Sequence, residues 1–287
     1  MENVPRVFQY RLFKEILREI EKRYWIWTGV LNAALFGVPQ TRHRAIVIGY
    51  RRDLCVAPSA PRPTHLGRRP VFDYSSKRFL SPATRDGSRV LGLCPDVGRA
   101  DDYWMEHILA LTDDTRCTED LVVVREAIGD LPPASGDDGP LSYQEGASLY
   151  AQSLRDSEVR NHRRWGHSNR LLSRLRRIPE GGGLFDSRPR RSRQQPYYSQ
   201  AYTRLHGDGL ARTVTTNFHN PGSGRFLHYA DLRTITVREA ARLQGIRDDF
   251  VFIKSPTTQE RLIGNAFPIP LAEALARHIA TELTDKL

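Results

Sequence analysis

Cysteine is scarce in this sequence. Its 287 residues hold three, Cys55, Cys94 and Cys117, too few and too scattered for a disulfide framework, and none stands in the C-x-x-C spacing of a zinc site. A reducing interior is the natural home for such a chain. No apolar run approaches the ~18 residues that a membrane span requires. The opening Met-Glu-Asn-Val lacks the basic-then-apolar layout of a secretory signal. These absences exclude the disulfide-stapled and membrane classes and lead to the expectation of a soluble, cytoplasmic protein with no membrane partner.

What is present is a globular composition with excess positive charge. A hydrophobic content of 39% over this length is enough to bury one or two cores. The formal net charge is +10 and the isoelectric point about 9.8. A basic surface gains affinity for polyanions by releasing counterions from phosphates, so nucleic acid is the favoured partner. The charge is carried overwhelmingly by arginine, which a GC-rich genome also produces, so charge alone does not assign that partner.

Patterning divides the chain. Phe8, Leu12, Ile16, Ile20 and Tyr24 recur every four positions, predicting a helix from Val7 to Trp27 with one buried stripe. Gly37-Val38-Pro39 breaks the chain, and the β-branched run from Arg44 to Tyr50 reads as a buried strand. Beyond Arg52 the pattern loosens, with an acidic patch from Asp101 to Asp120. Arginines then crowd between Arg160 and Arg193 beside His162, Trp165 and His167, a composition suited to a phosphate backbone. Gly181-Gly182-Gly183 within that stretch is expected to be a flexible loop. Order returns at Thr236-Val-Arg-Glu239, a capping-box pattern followed by Ala240, Ala241 and Leu243, with Gly245 to stop the helix. A second helix is expected after Pro270, with Leu271, Ala274, Leu275, Ile279 and Leu283 inward. We therefore expect an α/β catalytic portion at 1–52 and 230–287, interrupted by a long insertion at 53–229.

Four segments, in order, carry the chemistry: Glu2-Asn3-Val4-Pro5; Gln40-Thr-Arg42-His-Arg44; Leu232 through Gly245; and Ile263-Gly-Asn-Ala-Phe-Pro268. Together they resemble the later motifs of the DNA (cytosine-5) methyltransferases. Tyr202-Thr-Arg-Leu205 and Ala211-Arg-Thr-Val-Thr-Thr216 resemble that family's target-recognition core. The resemblance implies part of a Rossmann-like methyltransferase domain with a target-recognition insertion. It also implies S-adenosyl-L-methionine as methyl donor, double-stranded DNA as partner, and a place in restriction–modification.

By the same resemblance, Glu2 holds the ring nitrogen of a cytosine flipped out of the helix. A carboxyl taken out of water favours its protonated form, which can donate as electrons flow into the ring. Arg44 faces the pocket and helps hold the cytosine oxygen, for which the guanidinium fork is suited. Arg42 is included with it, and the two are expected to point in opposite directions, one to the active site and one to backbone or core. Asn265 and Ala266 are expected against the cofactor, with Gly264 permitting close approach. Gln40, Arg204, Thr213, Thr215 and Thr216 are the expected DNA contacts, although the threonines equally suit a plain β-branched strand.

The sequence departs from the family at decisive points. No cysteine follows a proline: Cys55 follows Leu54, Cys94 follows Leu93 and Cys117 follows Arg116. The glycine-rich cofactor loop is also missing. Smaller departures are Arg6, Ile246-Arg247 and Phe267, the last expected to narrow the cofactor wall. The implied reading is one portion of a methyltransferase that needs a second polypeptide for the Pro-Cys nucleophile and cofactor loop. The alternative is a DNA-binding module or remnant without catalysis. Half a parallel sheet would expose apolar edges, so the isolated chain is expected to be poorly soluble. Analytical ultracentrifugation showing a monodisperse monomer, with a sharp cooperative melt, would count against that expectation.

Overall fold

The computed structural model describes residues 1–82, 119–137, 139–184, 186 and 200–284. Cys94, Cys117, most of the acidic patch and the arginines at 188, 190, 191 and 193 lie outside them.

Residues Tyr24–Asn32 (β2) and His43–Arg51 (β4) form a long antiparallel pair, and Glu2–Asn3 (β1) pairs on the other side of β4, giving the order β1-β4-β2. The described sheet is antiparallel, not the parallel one expected. The chain returns from β2 to β4 through one short connection, and such a hairpin permits only antiparallel pairing. Within that connection Ala33–Phe36 form a 3-10 turn, closed by Gly37 at φ +83°, where a side chain is strained. Gln40–Thr41 (β3) leaves this sheet and pairs in parallel with Ala211–Arg212 (β5).

The expected helix from Val7 to Trp27 is shorter. A 3-10 turn covers Pro5–Gln9, an α-helix covers Arg11–Glu21 (α1), and Tyr24 onward is strand. Aromatic and β-branched residues from Tyr24 to Thr28 favour the pleated surface of a sheet. The four-residue spacing also misidentifies the buried face. Leu12 and Ile16 are exposed, while Phe13 packs with Val7, Ala45 and Val47. Each step of four residues advances about 40° around a helix, so five such positions sweep over many faces.

Two larger cores follow. The first joins Leu31, Phe36, Ile46 and Ile48 to Val56, Val71 and Leu210, and is covered by Ile269–Thr284 (α7) through Leu271, Ala274, Leu275, Ile279 and Leu283, as the spacing predicted. The second surrounds Val237–Arg242 (α5), which packs on Val124–Ile128 (α2) and on Pro256–Asn265 (α6). Leu149–Leu154 (α3) and Asn169–Leu175 (α4) flank it. The predicted capping box is formed: Glu239 N donates to Thr236 Oγ1 at 3.2 Å and Thr236 N donates to the Glu239 carboxylate at 2.7 Å. Gly245 ends that helical stretch at φ +74°.

The three glycines at 181–183 are not a free loop. All three are buried. Gly181 N donates to Leu205 O, Arg204 N donates to Gly182 O, and a Cβ on Gly181 would meet the Phe72 ring at 2.5 Å. They are glycines because backbone and ring approach too closely for a side chain.

Charge is buried around α5. Arg242 binds Asp248 through Nε at 2.8 Å and lies 3.3 Å from Asp130, all three essentially inaccessible. Beside them, Arg233 grips Glu239, and His228 lies 3.6 Å from Glu239. His228 Nδ1 accepts from Ala230 N at 3.2 Å and Asp231 N at 2.9 Å, bonds that a protonated ring would lose. Burial, opposed by Glu239 and aided by Arg233, brings His228 down to about 4. Glu239, which burial alone would raise, is held well below the usual carboxylate range by Arg233.

An unfolded histidine titrates near 6.5, so the unfolded chain takes up a proton that the folded one refuses. Stability is complete above that pH and is lost as pH falls from about 6.5 towards 4, by on the order of 3 kcal/mol. Glu239 adds a loss of the same sign at lower pH. Urea titrations across pH 4 to 7 should show this slope, and His228→Gln, which keeps an acceptor, should flatten it.

Candidate active site

The first two sequence motifs meet across the sheet. β1 lies on β4 with Glu2 opposite Ile46 and Asn3 opposite Ala45. This places the Arg44 Nε 2.7 Å from a Glu2 carboxylate oxygen. Arg44 is nearly buried, whereas the Glu2 side chain remains 38% exposed. The expected buried carboxyl is therefore a surface carboxylate here, held on one side by a guanidinium. A second Arg44 nitrogen donates to His43 O at 2.8 Å.

Arg42 points to backbone and core, opposite to Arg44 as expected, and so does not belong with the catalytic residues. It is 1% exposed, and its guanidinium donates to Val214 O at 2.9 Å, Gly264 O at 2.8 Å and Ala266 O at 2.9 Å. With those nitrogens committed to backbone, Arg42 is a positioning residue, not one that touches a base. Residues two apart on an uninterrupted strand share a face. Arg42 and Arg44 diverge because the chain leaves β3 at Thr41 and enters β4 at His43. Burial, and then the nearby Arg44 charge, lower Arg42 to about 9, with Glu2 opposing, so it stays charged at neutral pH.

Three of the expected DNA contacts are committed inside the fold. Gln40 is inaccessible; it donates to Gln244 Oε1 and accepts from Val214 N, both at 3.1 Å. Arg204 is 4% exposed and donates to the carbonyls of Ile178, His228, Asp231 and Leu175. The Thr213 hydroxyl donates to Thr41 O at 2.9 Å. Burial leaves Gln40 and Arg204 no base edge to reach, and the half-buried Thr213 has its hydroxyl spent on backbone. Thr215 and Thr216 are exposed and available. Asn265 is exposed at the end of α6, and Ala266 caps that helix with an extended backbone. Phe267 packs against the first core, so it does not crowd this edge as expected.

Gly264 has a clear steric requirement. A Cβ there would lie 2.5 Å from Thr215 C and Thr216 N, distances that real side chains do not tolerate. Thus the threonine segment, α6 and Arg42 are packed as one unit. Sequence reasoning missed the structural role of Gln40 and, although it turned one arginine toward backbone or core, counted Arg42 with the catalytic residues. The signal was the run of polar residues beside a buried strand, which needs internal partners.

A family model described as C-5 cytosine-specific DNA methylase matches residues 1–281. The chain belongs to that family. Among curated relatives, the type II methyltransferase M1.HphI of Haemophilus parahaemolyticus is 27% identical over 97% of this chain and 55% of its own length. DNA (cytosine-5)-methyltransferase 4 of Arabidopsis thaliana is 27% identical over 99% of this chain and 19% of its own. The chain thus spans about half the length of the bacterial relative. A solved prophage-encoded E. coli structure described as a DNA modification methyltransferase has the same fold, with TM-score 0.62 and 19% identity over 99% of this chain and 68% of that one. Among the described residues no helix is long and apolar enough to cross a membrane.

Gly264→Ala should destabilise the protein by more than 2 kcal/mol, because backbone on the facing segment cannot yield cheaply. Arg42→Met, which leaves three buried carbonyls without their donors, should cost at least as much. Urea denaturation monitored by circular dichroism reads both, and values under about 0.5 kcal/mol would refute the packed unit.

Proposed function

We propose that this chain supplies the base-holding and DNA-reading parts of a DNA (cytosine-5) methyltransferase. The Pro-Cys nucleophile and the glycine-rich cofactor loop, which these 287 residues do not contain, complete the enzyme, which methylates carbon five of cytosine in a specific double-stranded sequence. The observation that carries this reading is the Glu2 carboxylate held at 2.7 Å by Arg44, on a surface that remains open to a base. The relatives named as type II methyltransferases support a place in restriction–modification.

In this reading residues 1–52 and 230–287 are catalytic and 53–229 form the target-recognition insertion. Arg42 supports it, since one guanidinium from the first portion binds carbonyls of the second and of the insertion. A cytosine swung out of the duplex meets Glu2 at its ring nitrogen. Arg44 fixes the carboxyl in place and lies where the cytosine oxygen would sit, as its planar fork suits. When the Pro-Cys thiolate adds to the ring, electrons flow to that nitrogen and the Glu2 carboxyl supplies its proton. After methyl transfer, loss of the carbon-five proton to a base such as water re-forms the ring double bond and expels the thiolate, and the ring-nitrogen proton returns to Glu2.

S-adenosyl-L-methionine supplies the methyl group when bound. The residues present fit one edge of such a site: the Gly264 and Ala266 carbonyls are drawn inward onto Arg42, leaving the Asn265 amide exposed beside a small side chain. Thr215 and Thr216, clamped next to that edge by the close approach at Gly264, are the base-reading candidates that remain.

The test is transfer of labelled methyl groups to unmethylated duplex DNA, by this chain alone, with a polypeptide carrying the cysteine and cofactor loop, and with that polypeptide plus Glu2→Ala. Activity is expected only in the pair and should fall by about 100-fold or more with the substitution, the range for a lost general acid. Inactivity of every mixture while the chain still binds DNA would leave a recognition module without catalysis.

A further inference from the structure

Arginine is used in two distinct ways. Arg42, Arg204, Arg238 and Arg242 are buried and fixed by internal carbonyls or carboxylates. In contrast, Arg163, Arg164, Arg170, Arg174, Arg176 and Arg177 are all exposed, and among the described residues none of their side chains meets a carboxylate. Like charges concentrated in this way repel one another and do nothing for the fold.

Two of them line a cleft. Arg164 and Arg176 open onto a cavity of about 500 Å³ with Trp165, His167 and Leu172. Trp165 is anchored, its Nε1 donating to Ile235 O at 2.9 Å, and His167 Nε2 lies 3.2 Å from Thr234 Oγ1. The opposite wall carries Asp231 and Arg233, whose guanidinium is shared between Asp231 at 2.9 Å and the buried Glu239 at 2.7 Å and so adds no free positive charge. The uncompensated positive charge in the cleft therefore belongs to Arg164 and Arg176.

Its place in the fold points to DNA. Trp165 packs against Phe218 and His219, with ring centroids 6.4 and 5.2 Å away, and these residues follow the exposed Thr215 and Thr216 by only a few positions. A duplex read at those threonines would carry its backbone past the mouth of the cleft. We propose that this cleft is a phosphodiester clamp, in which Arg164 and Arg176 hold DNA phosphates beside the base-reading segment and set its register without reading sequence. The inference rests on the reading that this chain handles duplex DNA, and it goes beyond that reading by assigning a separate anchoring site.

The test is fluorescence anisotropy of labelled duplexes of several unrelated sequences with the full chain, between 50 and 200 mM salt, for wild type, the Arg164→Ala/Arg176→Ala double variant and the corresponding double lysine variant. Each phosphate contact contributes about 0.9 to the slope of log affinity against log salt. The double alanine variant should lose about 1.8 of that slope, so that wild-type affinity falls about ten-fold more than the variant's across this range. The loss should be equal on all sequences, and lysine should retain the slope. Since both side chains are exposed, the melting temperature should stay unchanged. An unaltered slope in the alanine variant with wild-type binding intact would overturn the clamp alone. So would a slope lost equally in the lysine variant, or a clamp that acts on RNA duplexes and not on DNA. Wild-type protein that binds no duplex DNA would overturn the clamp and the DNA reading together. Methyl transfer enters none of these readouts, so the clamp and the catalytic proposal fail separately.

Discussion

One buried guanidinium joins the parts on which a site could be built. Arg42 leaves the sheet between β3 and β4 and binds three backbone carbonyls that belong to two distant segments. A charge out of water is costly unless its donors are occupied, so these segments cannot separate without stranding it. The glycine at 264 serves the same junction by letting α6 touch the 215–216 backbone. Because Arg44 begins the neighbouring strand, the position of the Glu2–Arg44 pair relative to α6 follows from this junction.

The second core shows the same use of polar groups in place of apolar ones. Arg238 and Arg242 project from α5 into the protein, not into solvent, and are met by Asp248, Asp130 and carbonyls from loops. Tyr143 joins them by donating to Asp248 at 2.6 Å, and burial pushes its phenol up to about 12. Loops with few apolar residues are thereby fixed by directional bonds, which specify one arrangement where hydrophobic contact would tolerate several. These arginines are unavailable to DNA, and because two aspartates are buried with them the net charge left to the surface is unchanged.

The face that carries Glu2 is open. Its carboxylate is part-exposed, Asn265 and the threonines at 215 and 216 are exposed, and Leu12 and Ile16 of α1 face outward nearby in the sequence. The chemistry of a methyl transfer needs a nucleophile, and no cysteine of this sequence stands in the family's Pro-Cys position.

By itself, the sequence determined the family, because four motifs in order are far more specific than any one of them. It also determined the capped helix at 237–242, the strand from 44 to 50 and the inward face of the last helix, since caps and short-range periodicity act within a few residues. Tertiary structure alone decided which polar residues are tools and which are braces. Gln40, Arg42, Arg204 and Thr213 read as site residues from their motifs, yet their partners lie up to two hundred positions away, and no local pattern encodes which carbonyl a side chain will meet. The same reason hid the true face of α1 and the antiparallel order of the sheet: both depend on what packs alongside, and burial is a property of the assembled chain.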